Sequence, residues 1–292
     1  MANKLISIGT LIDESWERYR EHTSALLSIS GWLLVKAVID VVSLSFYPTV
    51  SKMLSGEILS GTELFGTFLF IVNAAIIAPL IGVFILAAVF QFSYAILEGK
   101  KADVKSALMA GKKSFFPVLW VSILLVLVIL GGIALGVVPP VILYALAAWT
   151  GFTQLNVLAT LLLVLGIIAA TILNIRWTVE FSLAPYVTLA EGLPGIQALK
   201  RSRELVRGRF FAVLLRYALP KFVFVLLGIV VLAILSFLTN VVVSGFAGLN
   251  LDVSLRLNTL ASTIYPVLIA ALVNPLLILA DTILYRSVTN RS

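Results

Sequence analysis

The stretch FFPVLWVSILLVLVILGGIALGVVPP, residues 115–140, decides the fold because it is long, apolar and free of charged residues. About 20 such residues in an α-helix cross a hydrocarbon core roughly 30 Å thick. A segment in lipid must satisfy its own backbone hydrogen bonds, and a helix does so within one segment. The stretch therefore predicts a membrane-spanning helix over residues 115–138, ended by Pro139 and Pro140.

The whole chain has the composition of a membrane protein. Of its 292 residues, 61% are hydrophobic and 12% are charged, and the mean hydropathy is +1.10. Soluble globular domains have about 25% charged residues. We therefore expect an all-α, polytopic integral membrane protein that forms a single membrane domain over residues 1–292. The other predicted spans are residues 24–46, 65–97, 155–175, 222–243 and 259–280.

Three segments differ in length or in starting point from a simple single crossing. Residues 65–97 exceed one crossing and are expected to tilt, to kink at Pro79 or to project beyond the membrane. Residues 141–149 are too short to cross, and Trp149 favours a helix at the outer interface. If the fifth helix begins at Phe210 instead of Phe222, Arg216 and Lys221 enter the membrane, and Lys221 must reach back to its surface.

Amphipathic segments precede the spans. Residues 5–22 predict a helix lying on the membrane, with Thr10 as its cap and regular helix from Leu11. Its apolar stripe comprises Leu5, Ile8, Ile12, Trp16 and Tyr19. Residues 100–113 predict a second surface helix that ends at Gly111.

The distribution of basic residues predicts the orientation. Three Lys and Arg residues precede the first span, five lie in residues 100–113, five in residues 200–209 and two at the C-terminus. The connections on the other side contain only Lys52 and Arg256. Because basic residues are retained inside, both termini are predicted to face the cytoplasm, with the chain in the cytoplasmic membrane.

Two cytoplasmic connections resemble each other. YAILEGKKADVKSALMAGKKSFFPVL begins at Tyr94, and YVTLAEGLPGIQALKRSRELVRGRFFAVL begins at Tyr186. Both contain a Glu-Gly pair that closes a helix, an amphipathic segment and a Phe-Phe pair that starts the next span. Together with the N-terminal amphipathic helix they predict three parallel hairpin repeats, residues 1–98, 99–190 and 191–292.

Charged residues within the spans are candidates for a polar site. Lys36 and Asp40 share a helix face, and an unpaired charge at the bilayer centre costs about 2.5 to 3.5 kcal/mol. They are either a structural pair or part of an ion path that also uses Asp281, Asn73 and Asn274. Arg176 and Glu180 are spaced to pair at the inner interface. Asp281 is otherwise a cap or a partner for an Arg of the same surface.

A second candidate site is the basic patch on the cytoplasmic side. It comprises Lys200, Arg201, Arg203, Arg207 and Arg209, together with Lys112 and Lys113. Orientation in the membrane explains these residues, and binding of anionic headgroups or of a membrane-protein partner explains them equally well. The same orientation rule accounts for the net charge of +7, so no nucleic-acid partner is expected.

No catalytic constellation is apparent. The chain has no cysteine, and its one histidine, His22, has no metal-binding pattern around it. The motifs of phosphate loops, zinc peptidases and nucleophile elbows do not occur. We expect a non-enzymatic protein without cofactor or metal.

Three stretches carry a family resemblance: IDESWERYREH from Ile12, AEGLPGIQALKRSRELVRGRFF from Ala190 and ADTILYRSV from Ala280. The chain resembles the six-helix membrane domain attached to some bacterial glycerophosphoryl diester phosphodiesterases, and its stand-alone relatives. The resemblance implies a bacterial inner-membrane protein. In the two-domain proteins hydrolysis belongs to a separate barrel with His and metal-binding acids, which this sequence does not contain, so the resemblance implies no hydrolase activity. A scaffold or lipid-related role is the first hypothesis, a transporter or channel the second and an intramembrane enzyme the third.

Overall fold

The computed structural model describes residues 5–247 and 251–289, and every regular element in these ranges is a helix. The all-α prediction is thus confirmed for this part of the chain. Its helices are α1 (Ile8–Glu21), α2 (Thr23–Ser30), α3 (Leu33–Ser45), α4 (Val50–Ser55), α5 (Gly61–Val72), α6 (Ala78–Leu97), α7 (Val104–Thr150), α8 (Gln154–Phe181), α9 (Ala184–Glu191), α10 (Gly195–Val206), α11 (Phe210–Ala247) and α12 (Leu251–Thr289), and a π-helical turn (Asn73–Ile77) joins α5 to α6.

The N-terminal amphipathic helix is present as α1, but its cap differs from the prediction. Ser7 caps the helix by accepting a hydrogen bond from the Thr10 amide at 3.1 Å, so Thr10 already lies in the first turn. The buried face contains Leu11 and Tyr19, while Trp16 is exposed. The cap was misassigned because both residues are hydroxyl-bearing and only the backbone conformation tells which one stands outside the helix.

The predicted first span is bent. Helices α2 and α3 meet at an angle of 42° around Gly31 and Trp32. There the amides of Leu34 and Val35 bond to the carbonyls of Gly31 and Trp32, three residues back instead of four. Glycine is a poor helix former, so a tightened turn at this position costs less than elsewhere. The span predicted over residues 24–46 thus consists of two helices joined by a bend.

Helix α7 contradicts two predicted helix ends. Pro139 and Pro140 lie inside it, so residues 141–149 are its last turns and not a separate interfacial helix. Ending a helix leaves up to four carbonyls unbonded, whereas a proline removes one donor, and unbonded groups are costly in hydrocarbon. Continuing through the prolines is therefore the less costly solution.

Gly111 is the second helix end that the structure contradicts. It is buried within α7, where a Cβ would lie 2.9 Å from the Cβ of Ala88. The glycine thus permits close approach of α7 to α6 and does not stop a helix. Residues 100–113 accordingly do not form a surface helix of their own, because from Val104 onward they are the first turns of α7.

The second connection is closer to its prediction. Gly99 after α6 and Gly192 after α9 both adopt the left-handed conformation, with φ of 70° and 71°, so the Glu-Gly pairs do close helices. Pro194 precedes α10 and Gly208 lies just after it, so the amphipathic segment of this connection forms a helix of its own. Helix α11 begins at Phe210, which is the alternative that places Arg216 and Lys221 within the helix.

Contacts group the described residues into two compact units. Those up to Phe115 and those from Ala218 to Ser287 form the first unit, and the remainder, essentially Phe116 to Tyr217, form the second. In the first unit α12 is the central element. In its most apolar stretch of 18 residues 56% of the residues are buried, against 11–17% in the corresponding stretches of the other candidate spans. Its buried side chains include Leu279 and Leu284.

Five segments of the described chain are long and apolar enough to cross a membrane, and α2 with α3 makes a sixth if the bent pair is one crossing. Their surfaces are covered with exposed large apolar side chains, such as Phe116, Leu135 and Phe211. The expectation of several helices that are long and apolar enough to span a membrane is thus confirmed. The orientation and the three-repeat organisation stay predictions.

Candidate functional site

The predicted pair Lys36 and Asp40 is part of a larger polar cluster in the first unit. The Lys36 ammonium forms an ion pair with Asp40 Oδ2 on the next turn of α3. Asn73, on the π-helical turn, donates from Nδ2 to Asp40 Oδ1 at 2.6 Å and to the Lys36 carbonyl at 3.0 Å. The Asp40 side chain is 1% exposed and that of Lys36 is 25% exposed. The carboxylate therefore has both oxygens satisfied inside the protein.

The π-helical turn is what places Asn73 on this cluster. The amide of Ala78 bonds to the Asn73 carbonyl five residues back. Pro79 is the second residue of the following helix, and its ring is incompatible with regular α-helical bonding in the preceding turn. The helix before Pro79 thus contains one wide turn, whereas a kink, a tilt and a projection beyond the membrane stay the alternatives predicted for residues 65–97. Asn73 Oδ1 is buried without a hydrogen-bond partner in the described structure, because Nδ2 must face the two acceptors.

The remaining polar residues of the predicted path lie elsewhere. Lys221 Nζ forms an ion pair with Asp281 Oδ2 of α12 at 2.8 Å. Lys221 therefore pairs within the protein instead of extending to the membrane surface. Asn274 is half-buried in α12 and joins neither pair. The structure therefore brings Asn73 to Lys36 and Asp40, but it does not assemble the longer path.

A second charged cluster lies in the other unit, where α8 meets α10. Arg176 Nε donates to Glu180 Oε1 at 2.8 Å, which confirms the predicted pair. Arg203 of α10 brings its Nε within 3.1 Å of Glu180 Oε2, at an angle that makes an ion pair without a hydrogen bond. Ser202 fixes the two helices by donating to the Glu180 carbonyl at 2.8 Å. One mostly buried carboxylate thus holds two guanidinium groups.

An open groove of about 1050 Å³ adjoins this cluster. Its charged side is formed by α8 and α10, and its apolar side by α8 and the first turns of α11. The residues lining it are Ile172, Ile175, Arg176, Glu180, Lys200, Arg203, Glu204, Val206, Arg207, Gly208, Phe210, Phe211 and Leu214. The groove combines four basic side chains with an apolar wall at the ends of two candidate spans.

The structure divides the predicted basic patch. Lys200, Arg203 and Arg207 line the groove. Arg201 does not line the groove and pairs with Glu191 at 3.1 Å and with Glu204 at 3.5 Å. Arg209 is half-buried outside the groove, and Lys112 and Lys113 are exposed on α7. Arg176 and Glu180 were predicted only as a pair, because their proximity to α10 depends on tertiary packing.

Over the described residues the fold is all-helical, with several helices suited to a membrane. The charged side chains of its two clusters are paired, and so are Lys221 and Asp281. No family model, no curated protein and no solved structure matches the chain. The resemblance to the membrane domain of glycerophosphoryl diester phosphodiesterases therefore stays a prediction.

Proposed function

We propose that the chain is a non-enzymatic integral membrane protein of the cytoplasmic membrane, with a scaffold or lipid-related role at the inner leaflet. In this proposal both termini and the basic connections face the cytoplasm. The anionic headgroups of the inner leaflet are the partners of the basic surface residues.

The observation that supports this proposal is the contrast between two groups of charges. Lys36 and Lys221, within candidate spans, each pair with an acidic side chain. Lys200 and Arg207, next to the spans, form no ion pair with any described residue. Charges that serve only the fold are expected to be paired, whereas unpaired cations beside a membrane attract anionic lipid.

The proposal is tested with the full chain reconstituted in vesicles of phosphatidylcholine and phosphatidylglycerol. Spin-labelled versions of the two lipids report which one is held at the protein surface. We expect the anionic lipid to be preferred at low salt and the preference to fall in 1 M salt, where the screening length is about 3 Å. Equal retention of the two lipids at low salt would contradict the proposal.

A small-solute or ion transporter is the second candidate, favoured by one observation. The cluster at Asn73 combines a buried, unsatisfied oxygen with a π-helical turn, and such turns are frequent at functional sites. The double variant Lys36→Met/Asp40→Leu, expressed in a native host, tests whether the pair has a transport role. Loss of a growth phenotype or of ion flux in a variant that still folds would favour transport; normal behaviour would exclude a transport role for the pair.

A further inference from the structure

The groove between α8, α10 and the start of α11 has a basic side and an apolar wall, which complement the anionic headgroup and the acyl chains of a phospholipid. We infer that it binds one anionic glycerophospholipid, with the phosphodiester against the basic side and an acyl chain along the apolar wall. This inference rests on the proposed lipid-related function and adds to it a defined site with a stoichiometry of one.

The charge of the groove favours an anionic ligand. Arg176 and Arg203 share the single carboxylate of Glu180, so one positive charge of the three groups remains unbalanced. Lys200 and Arg207 add two cations that no described acid neutralises, and Glu204, the other acid of the groove, pairs with Arg201 outside it. A phosphodiester bound here replaces water around cations that are already in place.

Three of the four basic residues are positioned by one anchored helix. Lys200 and Arg203 are three residues apart and so share one face of α10, and Arg207 is the residue that directly follows the helix. The opposite face is buried through Leu205 and Ser202, and the Ser202 hydroxyl anchors it to α8. A surface helix anchored in this way presents its cations at one position relative to the groove.

The apolar wall distinguishes a lipid from a soluble anion. Ile172 is 65% exposed and Phe211 is 76% exposed, and both lie on helices apolar enough to enter a membrane. Ile175 and Leu214 complete this wall. An acyl chain buries these side chains, whereas a free phosphate or an acidic peptide leaves them uncovered.

The test uses the full chain, delipidated in mild detergent and titrated with phosphatidylglycerol or phosphatidylcholine, with bound lipids counted by native mass spectrometry. We expect one phosphatidylglycerol to bind more tightly than all later ones. The variant Lys200→Gln/Arg207→Gln removes only cations without an ion-pair partner, so it should fold. It should weaken this first site about 30-fold, at roughly 1 kcal/mol for each basic residue.

The matched control is Lys101→Gln/Lys105→Gln, which removes the same charge from exposed positions outside the groove. It should leave the first site unchanged. If both variants weaken anionic lipid equally, general surface attraction explains the binding and the defined site is overturned, although the proposed function stands. If neither variant has an effect and phosphatidylcholine binds as well, both are overturned.

Two further arms identify the part of the ligand that is recognised. Ile175→Trp places a larger side chain on the apolar wall and so narrows the groove without changing its charge. This variant should also weaken the binding of the first phosphatidylglycerol. Glycerophosphate, which has the phosphate but no acyl chain, should not displace the lipid at millimolar concentration. Displacement by glycerophosphate, or by an acidic peptide, would overturn the assignment to a lipid.

Discussion

Gly136 of α7 and Gly166 of α8 cross with their backbones in direct contact. A Cβ on either glycine would overlap the carbonyl oxygen of the other, and one on Gly136 would also lie 2.8 Å from the Cβ of Ala170. One turn away, Gly132 faces the side-chain amide of Asn174. Small residues four apart on two helices permit this close approach, which stabilises helix pairs in lipid through van der Waals contact.

A larger residue at this crossing should destabilise the α7–α8 hairpin. Gly136→Leu places a side chain where no space exists, so we expect a loss of about 1 to 3 kcal/mol or more in unfolding free energy. Unfolding of the purified protein by titration with sodium dodecyl sulfate measures the loss.

Gly131→Leu is the matched control, since a Cβ at this neighbouring glycine meets nothing within 4 Å. It should leave stability unchanged or raise it slightly, because leucine is the better helix former. Equal losses in the two variants would show that the hairpin does not depend on the glycine crossing.

Substitutions at Lys36 and Asp40 should have unequal effects. Lys36→Met leaves the buried Asp40 carboxylate without its cation and should cost about 3 to 5 kcal/mol. Asp40→Leu should cost less, because the Lys36 side chain is 25% exposed and can extend toward the surface.

The double variant Lys36→Met/Asp40→Leu should be closer to the original protein than Lys36→Met alone, since no charge is then left buried. Asn73 keeps the Lys36 backbone carbonyl as an acceptor in this variant. Thermal unfolding of all three variants completes the cycle. Strictly additive losses would mean that the two side chains do not form a pair in the membrane.

The continuity of α7 through Pro139 and Pro140 can be measured as a distance. Spin labels at the exposed positions Ile129 and Leu146 are expected about 25 Å apart along a helix, at roughly 1.5 Å per residue. A chain that turns back at the prolines would bring the labels much closer. Pulsed electron spin resonance in nanodiscs distinguishes these two arrangements, and a short distance would contradict the long helix.

Glu98 should titrate below the usual range for a glutamate. The hydrogen bond from Lys100, across 2.6 Å, is the main cause of its lowered pKa, and the same contact raises the pKa of Lys100. The Glu98 contribution to stability is present above its unfolded-state pKa and is lost as pH falls through the folded-state pKa. The Lys100 contribution is lost as pH rises through its folded-state pKa.

Lys100→Met should therefore raise the pKa of Glu98 toward its ordinary value. Carbon NMR of the Glu98 side-chain carboxyl against pH measures this change. Lys101→Met serves as the control, because Lys101 does not contact Glu98, and it should leave the titration unchanged. An identical Glu98 pKa in both variants would show that the Lys100 contact is not formed.

Some ion pairs could be predicted from sequence because the two partners are near each other in the chain. Arg176 with Glu180 and Lys36 with Asp40 are one helical turn apart, so the spacing alone predicts the contact. Asn73 could be predicted as a candidate residue of a polar path. Its position beside Asp40, however, depends on the wide turn before Pro79. Arg203 lies 27 positions after Arg176, and only the packing of α10 on α8 brings both to Glu180.

The sequence by itself determined that the chain is helical and suited to a membrane, because backbone groups in apolar surroundings must bond within their own segment. It also located the surface helix α10 and the Glu-Gly turns, whose signals are local. The tertiary structure alone decided that α7 passes through its prolines, that Gly136 meets Gly166 and that Arg176, Lys200, Arg203 and Arg207 share one groove. Each of these depends on which neighbour fills the adjoining space, and an apolar stretch facing lipid carries no periodic pattern that would identify that neighbour.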